Sequence, residues 1–226
     1  MDYFFTMKEI EEKIINIKSK LPDNVQLIVV TKMFPVEVIN EAYLAGERNF
    51  GENRPQEMVE KHSVMPNDIL WHQIGSLQTN KVRSIIPFVH MIHSIDSAKL
   101  LEFVNKEAFR INRVVDVLME VDIAQEDTKH GWKVDELLEY LKSDSFKALS
   151  NIKVCGVMGM ATYTDDKEQV RREFRSLKSV FENVKNIISS VETISMGMSG
   201  DYEIAVEEGA TMVRIGSSIF GKRNYK

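Results

Sequence analysis

Lys32 follows Leu27-Ile28-Val29-Val30-Thr31, an apolar and largely β-branched run, and Phe34-Pro35 then ends the strand. A lysine amine placed there is a nucleophile for a carbonyl compound once it is neutral, a state that burial or a nearby cation favours. The plainer alternative is a lysine that reaches past the strand end to solvent. Two later stretches carry the chemistry of anion binding. Met198-Ser199-Gly200 and Ile215-Gly216-Ser217-Ser218 each follow a strand-like run and precede a helix, offering hydroxyls and backbone N–H groups at the positive end of a helix dipole. Arg214, near the end of Thr211-Met212-Val213-Arg214-Ile215, is a permanent cation for a ring nitrogen or, equally, for Glu207 or Glu208.

Residues so far apart in sequence meet only if the fold brings strand ends together. The periodicity predicts a helix from Met7 to Lys20, with Ile10, Ile14, Ile17 and Leu21 on one stripe. Eight strand-like segments follow, at 27–32, 48–50, 69–74, 88–95, 114–121, 152–157, 192–195 and 211–215, each leading into a helix. Strict βα alternation implies a parallel sheet, and eight units predict an α/β fold of a single (β/α)8 TIM-type barrel over residues 1–226. A doubly wound open sheet is the alternative, and the extra N-terminal helix is expected to cap the bottom of the barrel. In a barrel the strand C-termini share one mouth, which gathers Lys32, Asn53, His72, Ser199, Arg214 and Ser217 with Gly51, Gly75, Gly197, Gly200 and Gly216. The loops after the last two strands are where this architecture most often binds phosphate. A lysine for an aldehyde and a cradle for phosphate together suggest pyridoxal 5'-phosphate (PLP), held as an internal aldimine on Lys32, with Arg214 leaving the pyridine nitrogen unprotonated.

Composition narrows the setting. The chain has 226 residues, 43% hydrophobic and 28% charged, as expected of a globular protein with a real core. A net charge of -5 argues against general nucleic-acid binding. No apolar run approaches the about 20 residues of a membrane span, and Met1-Asp2-Tyr3-Phe4-Phe5 lacks the pattern of a signal peptide. Cys155 is the only cysteine, which fits a reducing, cytoplasmic setting and a packed, inert thiol.

Several separated motifs resemble a known family, the pyridoxal phosphate homeostasis proteins, over almost the whole chain. They are Val29-Val30-Thr31-Lys32, Phe50-Gly51-Glu52-Asn53 with Gln56-Glu57, the run WHQIGSLQTNK from Trp71 to Lys81, and SMGMSGDYEIAVEEGATMVRIGSSIFGKRNY from Ser195 to Tyr225. The family's fold is similar to the barrel domain of alanine racemase. The resemblance implies that Lys32 is the Schiff-base lysine and that Arg214 faces the pyridine nitrogen. It further implies that Met198, Ser199, Gly200, Gly216 and Ser217 surround the phosphate, and that Asn53 and His72 lie near the ring. The chain departs from the family pattern at Arg54-Pro55, at Gln73 and Ser76, and at Gly200, which stands where an aspartate often follows the serine.

Three functions compete. The first is a cytoplasmic PLP-binding protein of intracellular PLP homeostasis, monomeric, with PLP-dependent apoenzymes as partners and no catalytic residues. The second is a racemase-like enzyme using Lys32 as base. Ending at Lys226, the chain is expected to lack the all-β domain that brings alanine racemases their second base. The third is a PLP-free phosphate-binding barrel. No metal site is expected: His90 and His93, three apart on one strand, should point to opposite faces. His62 and His130 read as solvated, Asp96 and Asp165-Asp166 as helix caps, residues 122–129 as a charged loop at the mouth, and Trp132 as the anchor of that loop.

Overall fold

A computed structural model describes residues 7–124 and 131–221. The first half of the chain forms α1 (Met7–Lys18), β1 (Gln26–Val30), α2 (Val36–Leu44), β2 (Asn49–Glu52), α3 (Pro55–His62), β3 (Leu70–Gln73), α4 (Thr79–Ile85), β4 (Met91–Ile95) and α5 (Ala98–Arg110). The second half forms β5 (Val115–Glu120), α6 (Val134–Lys142), α7 (Asp144–Lys147), β6 (Ile152–Met158), α8 (Lys167–Ile187), β7 (Thr193–Ser195), α9 (Tyr202–Glu207), β8 (Met212–Ile215) and α10 (Ser217–Phe220). The eight strands pair in parallel in chain order, and β1 pairs with β8 to close the barrel, which excludes the open sheet.

Strand alternation divides the apolar residues into two layers. Leu27 and Val29 face outward and join the large core beneath the helices, while Ile28 faces inward. The interior is plugged by Ile28, Met91, Leu118, Cys155, Met158 and Met212. Burial pushes the Cys155 thiol up to about 11, as expected of a packed and inert side chain. On α8, Val170, Phe174, Leu177 and Phe181 form the expected buried stripe, and Asp166 caps the helix by accepting the Glu168 and Gln169 N–H groups. For α5 the cap is Ser97, not Asp96: its hydroxyl accepts the Leu100 N–H.

Helix α1 packs against α2 and α10 and buries Ile10, Ile14 and Ile17. It thus fills the seam of the outer helical layer beside the four-residue α10, in place of the bottom cap that the sequence suggested. Strand β4 starts at Met91, so His90 precedes it and escapes strand alternation. His90 and His93 both stand edge-on to the His72 ring, at 5.1 and 5.2 Å between centroids, rather than on opposite faces. His62 is not solvated: it stacks on Phe88 at 3.8 Å, and burial holds it below the usual imidazole range. Trp132 anchors its loop as expected, donating from Nε1 to the Ile95 carbonyl at 2.9 Å. His130 and most of the 122–129 loop lie outside the described residues. Among the described residues, no helix is long and apolar enough to cross a membrane, and no group of three side chains could hold a metal ion.

A polar layer shares the barrel with the apolar plug. His72 Nδ1 is 3.0 Å from His93 Nε2, His93 Nδ1 is 3.2 Å from Ser195 Oγ, and His72 Nε2 is 3.2 Å from Asn49 Oδ1. Gln26 Nε2 also donates to Asn49 Oδ1, at 2.9 Å. Burial lowers His72 to about 3 and holds His93 well below its ordinary value.

A bulge sets the shape of β6. Val117 pairs with Val154 but Leu118 with Gly156, so Cys155 is an extra residue on that strand. The bulge presses Gly156 against β7, where a Cβ would lie 1.8 Å from the Thr193 carbonyl oxygen. Gly156→Ala is therefore expected to destabilise the fold by about 3 kcal/mol or more, read as a lower denaturant midpoint. A midpoint like that of the wild type would mean that β6 and β7 can separate without cost.

Candidate functional site

The strand C-termini surround an open cavity of about 930 Å³. Lys32 reaches it from the end of β1, Asn53 from β2, Gly75 and Ser76 from β3, and Glu120 from β5. The loop after β7 brings Met198, Ser199 and Gly200, and β8 brings Arg214 with Gly216 and Ser217. Residues 160–165, between β6 and α8, form a further wall. Buried Glu173 holds that wall by accepting the Thr162 N–H at 2.7 Å and the Thr162 hydroxyl at 2.8 Å.

The backbone on both sides of Lys32 is fixed by a buried charged cluster. Lys61 is 5% exposed and donates from Nζ to the Thr31 carbonyl at 2.8 Å. The same ammonium donates to Glu52 Oε1 and Glu57 Oε1, both at 2.6 Å. Thr31 Oγ1 donates to Glu52 at 2.5 Å, and the Met33 N–H donates to the Glu57 carboxylate. Met33 has a φ of 66°, a left-handed conformation uncommon outside glycine, so the turn after Lys32 is held rather than relaxed. Burial raises Glu52 to about 7 against the opposing pull of Lys61.

Arg214 is 4% exposed. Its Nη1 donates to Ser195 Oγ at 2.6 Å and its Nη2 to the Gly159 carbonyl at 3.1 Å. Burial pulls its pKa down to about 10, with Asp201 and Glu120 opposing, so it remains a cation at neutral pH. The salt bridge to Glu207 or Glu208 does not form, because Arg171 and Arg175 take those carboxylates. Glu120, 4% exposed, is raised to about 7 by burial and by Asp96, with Arg214 opposing.

The two candidate phosphate loops touch. Ser199 Oγ accepts the N–H groups of Gly216 and Ser218, each at 3.3 Å. Asp201 ties the first loop by accepting the Met198 N–H at 2.5 Å. A Cβ on Gly216 would sit 2.9 Å from the Val30 carbonyl oxygen, so this loop runs against the strand that carries Lys32. A Cβ on Gly200 would meet nothing within 4 Å, leaving space at the cradle.

Lys32, Asn53, Met198, Ser199, Gly200, Arg214, Gly216 and Ser217 are thus all on one cavity wall. His72 is the exception. Its ring is fully buried in the polar layer and reaches the site only through His93 and Ser195 to Arg214. Three features went unread in the sequence. Glu120 is a polar strand end like the others, and that position was its signal. The Glu57–Lys61 spacing of four on α3 signalled an ion pair, but nothing local reveals that the pair is buried beneath Lys32. Ser195 and His93 lie in apolar strands whose inward face only the closed barrel defines.

Comparison with known proteins agrees with this fold. The family model for the alanine racemase N-terminal domain matches residues 6–224. A pyridoxal phosphate homeostasis protein of Aquifex aeolicus is 42% identical over 205 residues, covering 88% of each chain. One from Vibrio alginolyticus is 35% identical, covering 97% of this chain and 100% of its own. PipY of Synechococcus elongatus PCC7942, solved with PLP bound, is 33% identical with a TM-score of 0.86, covering 94% of this chain and 100% of that one. The alanine racemase of Clostridium difficile 630, at 16% identity and a TM-score of 0.80, shares the fold over 97% of this chain and 58% of its own. This chain belongs to the alanine racemase N-terminal domain family and, within it, to the pyridoxal phosphate homeostasis proteins.

Proposed function

We propose that this chain binds PLP on Lys32 and takes part in intracellular PLP homeostasis, as a cytoplasmic monomer whose partners are PLP-dependent apoenzymes. The observation that carries the reading is the convergence of Lys32, Arg214 and the two glycine-serine loops on one cavity. PLP, when bound, supplies an aldehyde for a lysine amine, an anionic phosphate and a pyridine nitrogen, and each has a chemical match on the wall. Lys32 is the amine, projected from a turn that Lys61 and Glu57 hold. Ser199, Gly200, Gly216 and Ser217, with the backbone at Met198, are the phosphate cradle, and the open space at Gly200 leaves room for it. Arg214 has only donors, so it suits an unprotonated ring nitrogen. Asn53, which lines the same cavity, is the side chain proposed for the ring, while His72 acts from the layer behind it.

Glu120 fits an anionic ligand because burial keeps its carboxyl partly protonated at neutral pH, which lessens repulsion. The reading of the protein as a holder rather than an enzyme takes support from the names of its relatives, which are homeostasis proteins.

Titrating the purified chain with PLP should produce a visible absorption band that saturates near one equivalent and is absent from Lys32→Ala. A wild type that stays colourless would remove the proposal. Incubation with single L-amino acids should yield D-isomer no faster than free PLP does; faster turnover would favour the racemase. Glu120 also sets a pH dependence. Its ordinary value is 4.5, so between pH 4.5 and about 7 the folded chain keeps a proton that the unfolded chain releases, and stability falls as pH rises. Glu120→Gln removes that loss. The variant should match the wild type at pH 4.5 and exceed it by up to about 3 kcal/mol at pH 8, in denaturant melts across a pH series.

A further inference from the structure

We infer that His93 and His72 are positioning residues for Arg214: two neutral imidazoles, hydrogen-bonded in one direction through the barrel, that fix the Ser195 hydroxyl with its lone pair toward the guanidinium. The inference rests on the proposed role of Arg214 as the cation facing the cofactor ring.

The direction of the hydrogen bonds follows from the two ends of the chain. Arg214 can only donate, and it donates to Ser195 Oγ at 2.6 Å. At the other end the Asn49 amide is turned with Oδ1, its acceptor, toward both Gln26 Nε2 and His72 Nε2. His72 therefore carries its proton on Nε2, and its Nδ1 is a lone pair. That lone pair lies 3.0 Å from His93 Nε2, so His93 carries its proton on Nε2 as well. The remaining nitrogen, His93 Nδ1, is then an acceptor 3.2 Å from Ser195 Oγ, and the serine must donate to it. With its one proton committed to His93, Ser195 has only lone pairs for Arg214.

A second proton is excluded by the neighbours on each ring. On His72 Nδ1 it would face the Nε2–H of His93. On His93 it would place a cation one serine away from the Arg214 guanidinium. His90 stands edge-on to His72 and brings no negative charge; Asp116 acts on His90 from β5. Burial acts in the same direction on both rings, and the Arg214 guanidinium does so on His93.

The arrangement orients a side chain and does not conduct protons, because it ends on a guanidinium at one side and an amide at the other. Two acceptors, Ser195 Oγ and the Gly159 carbonyl, then fix the guanidinium plane from behind. The cavity-facing edge of Arg214 is left for a ligand.

Two measurements on the intact chain test this. Long-range proton–nitrogen NMR spectra of the histidine rings should show the Nε2–H form for His72 and His93 at both pH 7 and pH 5.5. An Nδ1–H form, or a doubly protonated ring at pH 5.5, would overturn the inference with or without PLP. PLP titration followed by absorbance should show His93→Phe and Ser195→Ala each weakening binding by about tenfold or more and moving the visible band. His93→Asn, whose amide carbonyl can accept the Ser195 hydroxyl, should recover most of the affinity and the band position. Wild-type affinity and an unmoved band in both His93→Phe and Ser195→Ala would also overturn it. If the wild type takes up no PLP, the proposed function fails, and the ring protons still decide the inference. If His93→Phe does not fold, Ser195→Ala and the ring protons decide it.

Discussion

The pairing of β1 with β8 is the contact on which everything at the mouth depends. The ladder runs from Gln26 opposite Met212 to Val29 opposite Ile215. It sets Lys32 and Arg214 at neighbouring strand ends although most of the chain lies between them. It also draws the last glycine loop against Val30, so tightly that Gly216 has no room for a side chain. A shift of one residue would turn every inward side chain outward, exchanging Ile28 for Val29 and Arg214 for Val213. Register here is thus a condition for the site and not only for the core.

Much of this was legible in the sequence. Unbroken apolar strands alternating with amphipathic helices give a parallel barrel from local pattern alone, and a barrel then assigns strand ends to one mouth. That logic placed Lys32, Asn53, Arg214 and the two glycine-serine loops correctly. It failed where strand bounds, strand facing or the packing of a helix, rather than local pattern, decide what a side chain meets. His72 reads as a strand-end residue but points into the interior layer, and His90 lies outside the strand that was taken to orient it. The same holds for Lys61, whose helix looks polar and exposed until the barrel covers one of its faces. The short α10 explains the misplaced α1: a gap in the helical layer cannot be seen from periodicity, only from the helix that fails to fill it.

The interior shows how costly groups are distributed. The apolar plug of methionines, leucine, isoleucine and cysteine lies where no ligand reaches. Beside it stand groups that a core ordinarily rejects: two neutral histidines, a buried guanidinium and Glu120, while Glu52 and Lys61 are buried outside the barrel wall, between β2 and α3. The Ser195–His93–His72–Asn49 chain and the Lys61 cluster satisfy polar groups that would otherwise be stranded. Glu120 is the less compensated member, because Asp96 adds to the effect of burial and only Arg214 relieves it. Stability is given up where the ligand is expected, in keeping with the usual opposition between a rigid core and a site prepared for charge.

The β1–β8 seam also has a consequence for how the chain folds. During synthesis β1 is made before the other described strands of the barrel, yet one of its two partners, β8, follows them all. Until then one edge of Leu27-Ile28-Val29-Val30 has no ladder, and α1 lacks its packing against α10. An unpaired apolar edge is a template for other chains, and contacts between distant segments close slowly. The step that completes the mouth of the cavity is thus the same step that covers this apolar edge.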